Sequence, residues 1–154
     1  MNIRRATPED AEVLTRIAFA AKRYWGYPER WIEHWRESLT ITPEFVGNNE
    51  VYAAVSDGEP FGFYALTGTG RKLELAHLWV SPAWIGSGAG RFLFEHAMEK
   101  ANSRGASVLQ IEADPNAEGF YLRMGAKRIR ENVYEIEGHR RVLPLMAVEL
   151  TADP

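Results

Sequence analysis

Behind Thr7-Pro8-Glu9-Asp10, where a cap residue and proline precede early acidic residues, the apolar positions Val13, Leu14, Ile17, Ala18 and Ala21 recur at helical spacing and form one stripe. This predicts a helix to about Tyr24, stopped by Gly26 and Pro28, after a short opening strand over Asn2 to Arg5. A second helix is predicted from Glu29 to about Leu39, with Trp31, Ile32 and Trp35 on one face and Glu33, His34 and Glu37 on others. The pattern then changes to strands over Val51 to Val55, Phe61 to Leu66 and Leu73 to Val80, separated by Ser56-Asp57-Gly58-Glu59 and Gly68-Thr69-Gly70, an antiparallel meander. Helical spacing returns over Gly90 to Ser103, where Leu93, Phe94, Ala97, Met98 and Ala101 should face inward and Gly105 marks the stop. Val108 to Ala113 is another strand, so a parallel pair joined by a right-handed crossover is expected. Asp114-Pro115-Asn116 opens a short helix ending at Gly125, and two strands follow around Arg128 to Ile136 and Val142 to Leu150. The expected class is α/β, a mixed sheet with helices on its faces.

With 154 residues, 45% hydrophobic and 12% aromatic, the chain can bury one good core and not two, and it carries no repeat or linker. A single domain over residues 1–154 is expected. The absence of cysteine excludes disulfides, thiolate metal sites and a cysteine nucleophile. No apolar run reaches the length of a membrane span or signal segment, so a soluble cytoplasmic protein with no membrane partner is expected. A net charge of −3 argues against nucleic acid as a partner. His34, His77, His96 and His139 are scattered without ligand spacing, so no metal is expected.

From Trp79 to Phe94 an apolar strand runs through alternating Gly86, Gly88 and Gly90 straight into the amphipathic helix. Glycines let the backbone approach a ligand closely, and the free amides of a helix's first turn suit phosphate oxygens. A Walker loop is excluded because Arg91 stands where its second glycine belongs, and a dinucleotide fingerprint fails because the third glycine comes one residue early. Gly86-Ser87-Gly88 is not a hydrolase elbow either. Taken alone, the three glycines fit a bare turn as well as an anion cradle.

Three segments in order resemble the GNAT superfamily of N-acetyltransferases and, with the element order, cover nearly the whole chain. Val80-Ser81-Pro82 followed by Ile85-Gly86-Ser87-Gly88-Ala89-Gly90 is similar to the family's acetyl-CoA pyrophosphate loop. Asn116 through Phe120-Tyr121 to Gly125 is similar to its Asn, aromatic-Tyr, Gly signature, and the two-helix stretch after the first strand stands where the family builds its acceptor pocket. The resemblance implies a mostly antiparallel sheet with a central parallel strand pair and flanking helices, acetyl-CoA as co-substrate, and transfer to a primary amine of a small molecule, a protein N-terminus or a lysine. It also suggests a homodimer by analogy. Ile85 departs from the family's usual Gln or Arg and Ala126 from its usual Phe; the first removes a cofactor-holding side chain and keeps open a catalytically silent acyl-CoA sensor.

The same resemblance distributes roles. The backbone of Leu78, Trp79 and Val80 would flank the pantetheine arm, and Ile85, Gly86, Ser87, Gly88, Ala89, Gly90 and Arg91 would hold the pyrophosphate, with Arg91 adding charge. Tyr121 would protonate the departing thiolate, beside Phe120, and Asn116 would contact the cofactor arm or cap a helix. Glu74, eleven residues before Ile85, is the candidate base, with His77 as rival; their odd separation points them to opposite faces of a regular strand. On the acceptor side stand Tyr24, Trp25, Tyr27 and His77, with Tyr64 facing the cleft or the core, an aromatic set suited to a cationic or an apolar amine. Trp31 and Trp35 read as core at helical spacing.

Overall fold

The computed structural model describes residues 1–150, beginning with β1 (Asn2–Arg5), a 3-10 turn (Pro8–Asp10) and α1 (Ala11–Tyr24). Next come α2 (Glu29–His34), α3 (Arg36–Leu39), α4 (Pro43–Asn48), β2 (Glu50–Ser56), β3 (Glu59–Thr67) and β4 (Lys72–Val80). A second 3-10 turn (Pro82–Trp84) leads into α5 (Ala89–Ser103), β5 (Val108–Glu112), α6 (Glu118–Arg123), β6 (Lys127–Ile136) and β7 (His139–Glu149). The strand order is β1-β2-β3-β4-β5-β7-β6. The expected parallel pair is β4 with β5, in register from Lys72 opposite Val108 to Glu74 opposite Gln110. The pairs β1–β2, β2–β3, β5–β7 and β6–β7 are antiparallel.

Local chemistry explains most boundaries. The Asp10 carboxylate accepts from the Thr7 amide at 2.8 Å and takes both Arg4 guanidinium nitrogens at 2.8 and 3.0 Å, tying β1 to the start of α1. The β2–β3 and β6–β7 hairpins turn through Asp57-Gly58 and Glu137-Gly138, each pair with two left-handed residues, as a two-residue turn demands. The predicted second helix is two: it breaks at Trp35 (φ −91°, ψ 7°), whose amide is shared between the carbonyls of Trp31 and Ile32. One helix, α4, has no counterpart in the predicted pattern. There the Thr42 hydroxyl accepts from Phe45 N at 3.0 Å with Pro43 next in line, so Thr42-Pro43-Glu44 repeats the start signal of Thr7-Pro8-Glu9.

The described residues divide into two compact units, one of Met1–Leu66 with His77–Glu95, the other of Thr67–Ala76 with those from His96 onward. In the first, the α1 stripe Leu14, Ile17 and Ala18 joins Ile32, Val46, Val51, Ala53 and Phe63 in one core, against which Tyr27, Trp35, Phe45 and Trp79 pack. Gly62 on β3 allows a close approach here. A Cβ at this position would stand 3.0 Å from both Leu93 Cδ1 and the Trp79 carbonyl oxygen, and 3.4 Å from Val80 Cγ2. In the second unit Ala97, Ala101, Leu109, Ile111, Leu145 and Met146 are buried, whereas Met98, expected inward, is only half-buried.

Candidate active site

The loop between β4 and α5 is built by short contacts inside the first unit. Ser81 N donates to Phe61 O at 2.7 Å, and the Trp84 ring stacks on Phe61 with centroids 3.9 Å apart. The amides of Ile85 and Ser87 then close on Pro82 O and Trp84 O, each at 3.2 Å. Ser87 Oγ donates to Trp84 O and accepts weakly from Ala89 N, so this hydroxyl holds the turn itself. Gly86 and Gly88 sit at φ 82° and 87°, a region costly for any residue with a Cβ, and no heavy atom lies within 4 Å of where either Cβ would stand. The first bond of α5 runs from Phe92 N to Gly88 O at 3.0 Å, leaving the amides of its opening turn ahead of that bond. Left-handed glycines, open space and the positive end of a 15-residue helix therefore coincide. Arg91 is exposed and paired with Glu95 at 2.6 Å. Ile85 is 47% exposed and offers its neighbours only an apolar surface.

On β4, Leu78, Trp79 and Val80 are half-buried and Glu74 is exposed. His77 lies among Phe45 and Phe63, with ring centroids at 5.7 and 6.0 Å, and its Nδ1 accepts from Trp79 Nε1 at 3.0 Å. That bond places the imidazole proton on Nε2, and burial lowers the His77 pKa to about 4. His77 is therefore a neutral, packed side chain near pH 7, a poor match for the role of base.

The second unit carries two further candidates, Tyr121 and Asn116. Tyr121 on α6 is buried, its ring edge-on to Phe120 at 5.1 Å. Burial first, and the charge of Asp114 second, raise the phenol's pKa above its ordinary value, so Tyr121 stays protonated across the physiological range. Asn116 is exposed, and its backbone and side-chain amides both donate to Asp114 Oδ1, at 2.9 and 3.0 Å. The helix-capping alternative for Asn116 thus gives way: Asp114 is the cap, its carboxylate accepting the free Asn116 amide two residues on. Arg141 approaches Asp114 at 3.9 Å, both side chains largely buried.

The acceptor-side residues part company. Tyr24 and Trp25 are exposed and edge-on to each other at 5.4 Å. Tyr27 is half-buried between Trp31 and Trp35, two tryptophans that are themselves half-buried. Tyr64 is wholly buried and stacked on Tyr52 at 5.5 Å, so the cleft alternative fails for it: the β2–β3 register sets these two rings opposite one another. Lys22 and Phe45 carry no signal in the sequence, since nothing local distinguishes them from ordinary helix residues. Among the described residues, no group of three or more His, Asp or Glu side chains could hold a metal ion, and no helix is long and apolar enough to cross a membrane.

Known proteins align with this arrangement over most of its length. The family model of the acetyltransferase (GNAT) domain matches residues 17–143. The peptidyl-lysine N-acetyltransferase YjaB of Salmonella typhimurium is 30% identical over 144 residues, 82% of this chain and 83% of that protein. Among solved structures, a GCN5-related N-acetyltransferase from Rhodopseudomonas palustris superposes with a TM-score of 0.82 at 26% identity, over 97% of this chain and 95% of that one. The PaiA N-acetyltransferase from Thermoplasma acidophilum, solved in complex with coenzyme A, shares the fold at a TM-score of 0.74 and 22% identity, over 96% of this chain and 98% of that one. With glycine loop, element order and family model in agreement, the chain belongs to the GNAT family of acetyltransferases.

Proposed function

We propose that this enzyme transfers the acetyl group of acetyl-CoA to a primary amine, with a lysine side chain of a peptide as the leading acceptor and small-molecule amines as the alternative. The observation that carries the reading is the loop at the head of α5: Gly86 and Gly88 in left-handed conformations beside open space and a helix N-terminus fit a pyrophosphate. The lysine acceptor draws support from the relative named as a peptidyl-lysine N-acetyltransferase.

The amides of Gly88 to Arg91 would hold the pyrophosphate, and Leu78 to Val80 would lie along the pantetheine arm. A β4 backbone amide would donate to the thioester oxygen as negative charge develops there. The neutral acceptor nitrogen forms the new C–N bond, the C–S bond breaks, and Tyr121 gives its phenolic proton to the thiolate. Burial of Tyr121 keeps it protonated, so its proton is present as the thiolate departs, and the phenol is restored from solvent afterwards. The proton lost by the amine passes to water or to Glu74, which is exposed and so able to exchange it with solvent. His77, neutral and with its Nδ1 already bonded, plays no part in this step.

The test is release of free thiol from acetyl-CoA by the purified chain against lysine-containing peptides, polyamines, arylamines, amino acids and aminoglycosides, with mass spectrometry of the acylated product. Acceptor-dependent release with a matching mass increase is the expected result. Cofactor binding with no release across the panel would replace the transferase by a silent acyl-CoA sensor, the alternative that Ile85 raises.

A further inference from the structure

Lys22 carries a formal charge on a buried side chain, at 9% exposure. Its Nζ stands 4.3 Å from the ring centroid of Trp35, 5.1 Å from that of Tyr27 and 6.0 Å from that of Trp79. The cage is braced from outside. Tyr27 meets Trp35 edge-on at 5.1 Å and stacks on Trp31 at 6.0 Å, while Trp79 Nε1 is held by His77 Nδ1. A desolvated ammonium is costly unless its charge is answered, and ring faces contribute to that answer through their quadrupoles. That attraction depends on charge and ring geometry, not on the tether that delivers the ammonium. Tyr27, Trp35 and Trp79 are only half-buried, so the residues around the Lys22 ammonium are not sealed in the core.

We infer that Tyr27, Trp35 and Trp79 form a binding site for an alkylammonium group that Lys22 occupies as a tethered competitor, so that a protonated acceptor amine enters only by displacing Lys22. That the entering ligand is the acceptor rests on the transferase reading, in which Trp79 lies on the strand flanking the thioester; the cation site itself does not. A tethered group acts at an effective concentration on the order of millimolar or more, so Lys22 masks the site against weak free cations. It thereby sets which amines can dock: those that offer further contacts outside the cage outcompete it, and bare alkylamines do not.

The experiment is a calorimetric titration of the whole chain with n-propylammonium, which reproduces the atoms that Lys22→Ala removes beyond Cβ, against sodium chloride at equal ionic strength. Lys22→Ala should bind it at least tenfold more tightly than the wild type, and Lys22→Ala with Trp35→Ala should lose that gain. Equal affinity in wild type and Lys22→Ala, or a gain that survives Trp35→Ala, overturns the cage. Because these variants can fail to fold, a second measurement uses the unaltered chain: acetylation of Lys22 by acetic anhydride, followed by mass spectrometry, with and without tetramethylammonium. Faster labelling of Lys22 with the cation is expected, and an unchanged rate overturns displacement. Neither readout involves acetyl-CoA, so a chain that transfers nothing still reports on the cage. For an acceptor found by thiol release, an unchanged KM in Lys22→Ala alongside tighter n-propylammonium binding removes the acceptor from the site.

Discussion

Gly88 and Gly70 share a backbone state and differ only in where they stand, which makes valine at each position a paired test of the proposed pyrophosphate site. Their φ angles are 87° and 79°, and at neither would a Cβ meet a heavy atom within 4 Å. Valine therefore imposes on both a left-handed backbone and little else, at about 1–2 kcal/mol each. For a chain of this size that lowers Tm by about 2–8 °C. A ligand at a hundred times its Kd stabilises the folded state by about 2.7 kcal/mol, a rise of about 5–10 °C. Scanning calorimetry with and without coenzyme A should show that rise undiminished in the wild type and in Gly70→Val, and absent in Gly88→Val, where the branched side chain fills the space over the amides. A full coenzyme A shift in Gly88→Val would refute the assignment of this loop to the pyrophosphate. Loss of the shift in both variants would show that lowered stability, not steric exclusion, abolished binding.

Tyr121→Phe should leave coenzyme A affinity within about twofold while kcat falls by about 100-fold, the low end of what a general acid contributes; an unaltered kcat assigns the proton to water or substrate. His77 makes acid stability diagnostic. Its folded-state pKa is about 4, below the ordinary histidine value near 6.5, so the unfolded chain takes up the proton first as pH falls. The stability linked to neutral His77 is complete above about pH 6.5, drains away between about 6.5 and 4, and amounts to no more than about 3 kcal/mol. Urea titrations should show a smaller loss over that window in His77→Gln than in the wild type, and equal losses would place the titration elsewhere. Gly62→Ala should cost about 1–3 kcal/mol by overpacking against Leu93 and the Trp79 carbonyl, read as a lower urea midpoint; an unchanged midpoint means those neighbours yield.

Features that depend on neighbours in the chain are legible in the amino-acid sequence itself. The helical stripe of α1, the Asp57-Gly58 hairpin, the glycine run into α5 and the aromatic-Tyr signature around Tyr121 all express backbone preferences and periodicity over a few residues. They carry the element order, the parallel pair and the family. The break at Trp35 and the extra helix α4 are harder to read, the first because an aromatic stripe continues as helix straight through it, the second because six residues hold too little periodicity to register.

Side-chain fate is a different matter, because it follows from pairings across many residues that no local pattern encodes. Folding brings Phe45 and Phe63 onto His77 and so leaves a candidate base as a neutral, packed side chain. The β2–β3 register sets Tyr52 against Tyr64 and closes that ring to any ligand, while Asp114 takes the cap and the Asn116 amide with it. Lys22 shows the division most plainly. On the helix it is an ordinary solvated lysine next to the apolar stripe, and only the return of β4, which carries Trp79, together with the fold of α2 onto α1, encloses its charge in aromatic faces. Burial, tautomer and charge state are properties of those long-range contacts, since desolvation depends on everything around a group and not on what precedes and follows it in the chain.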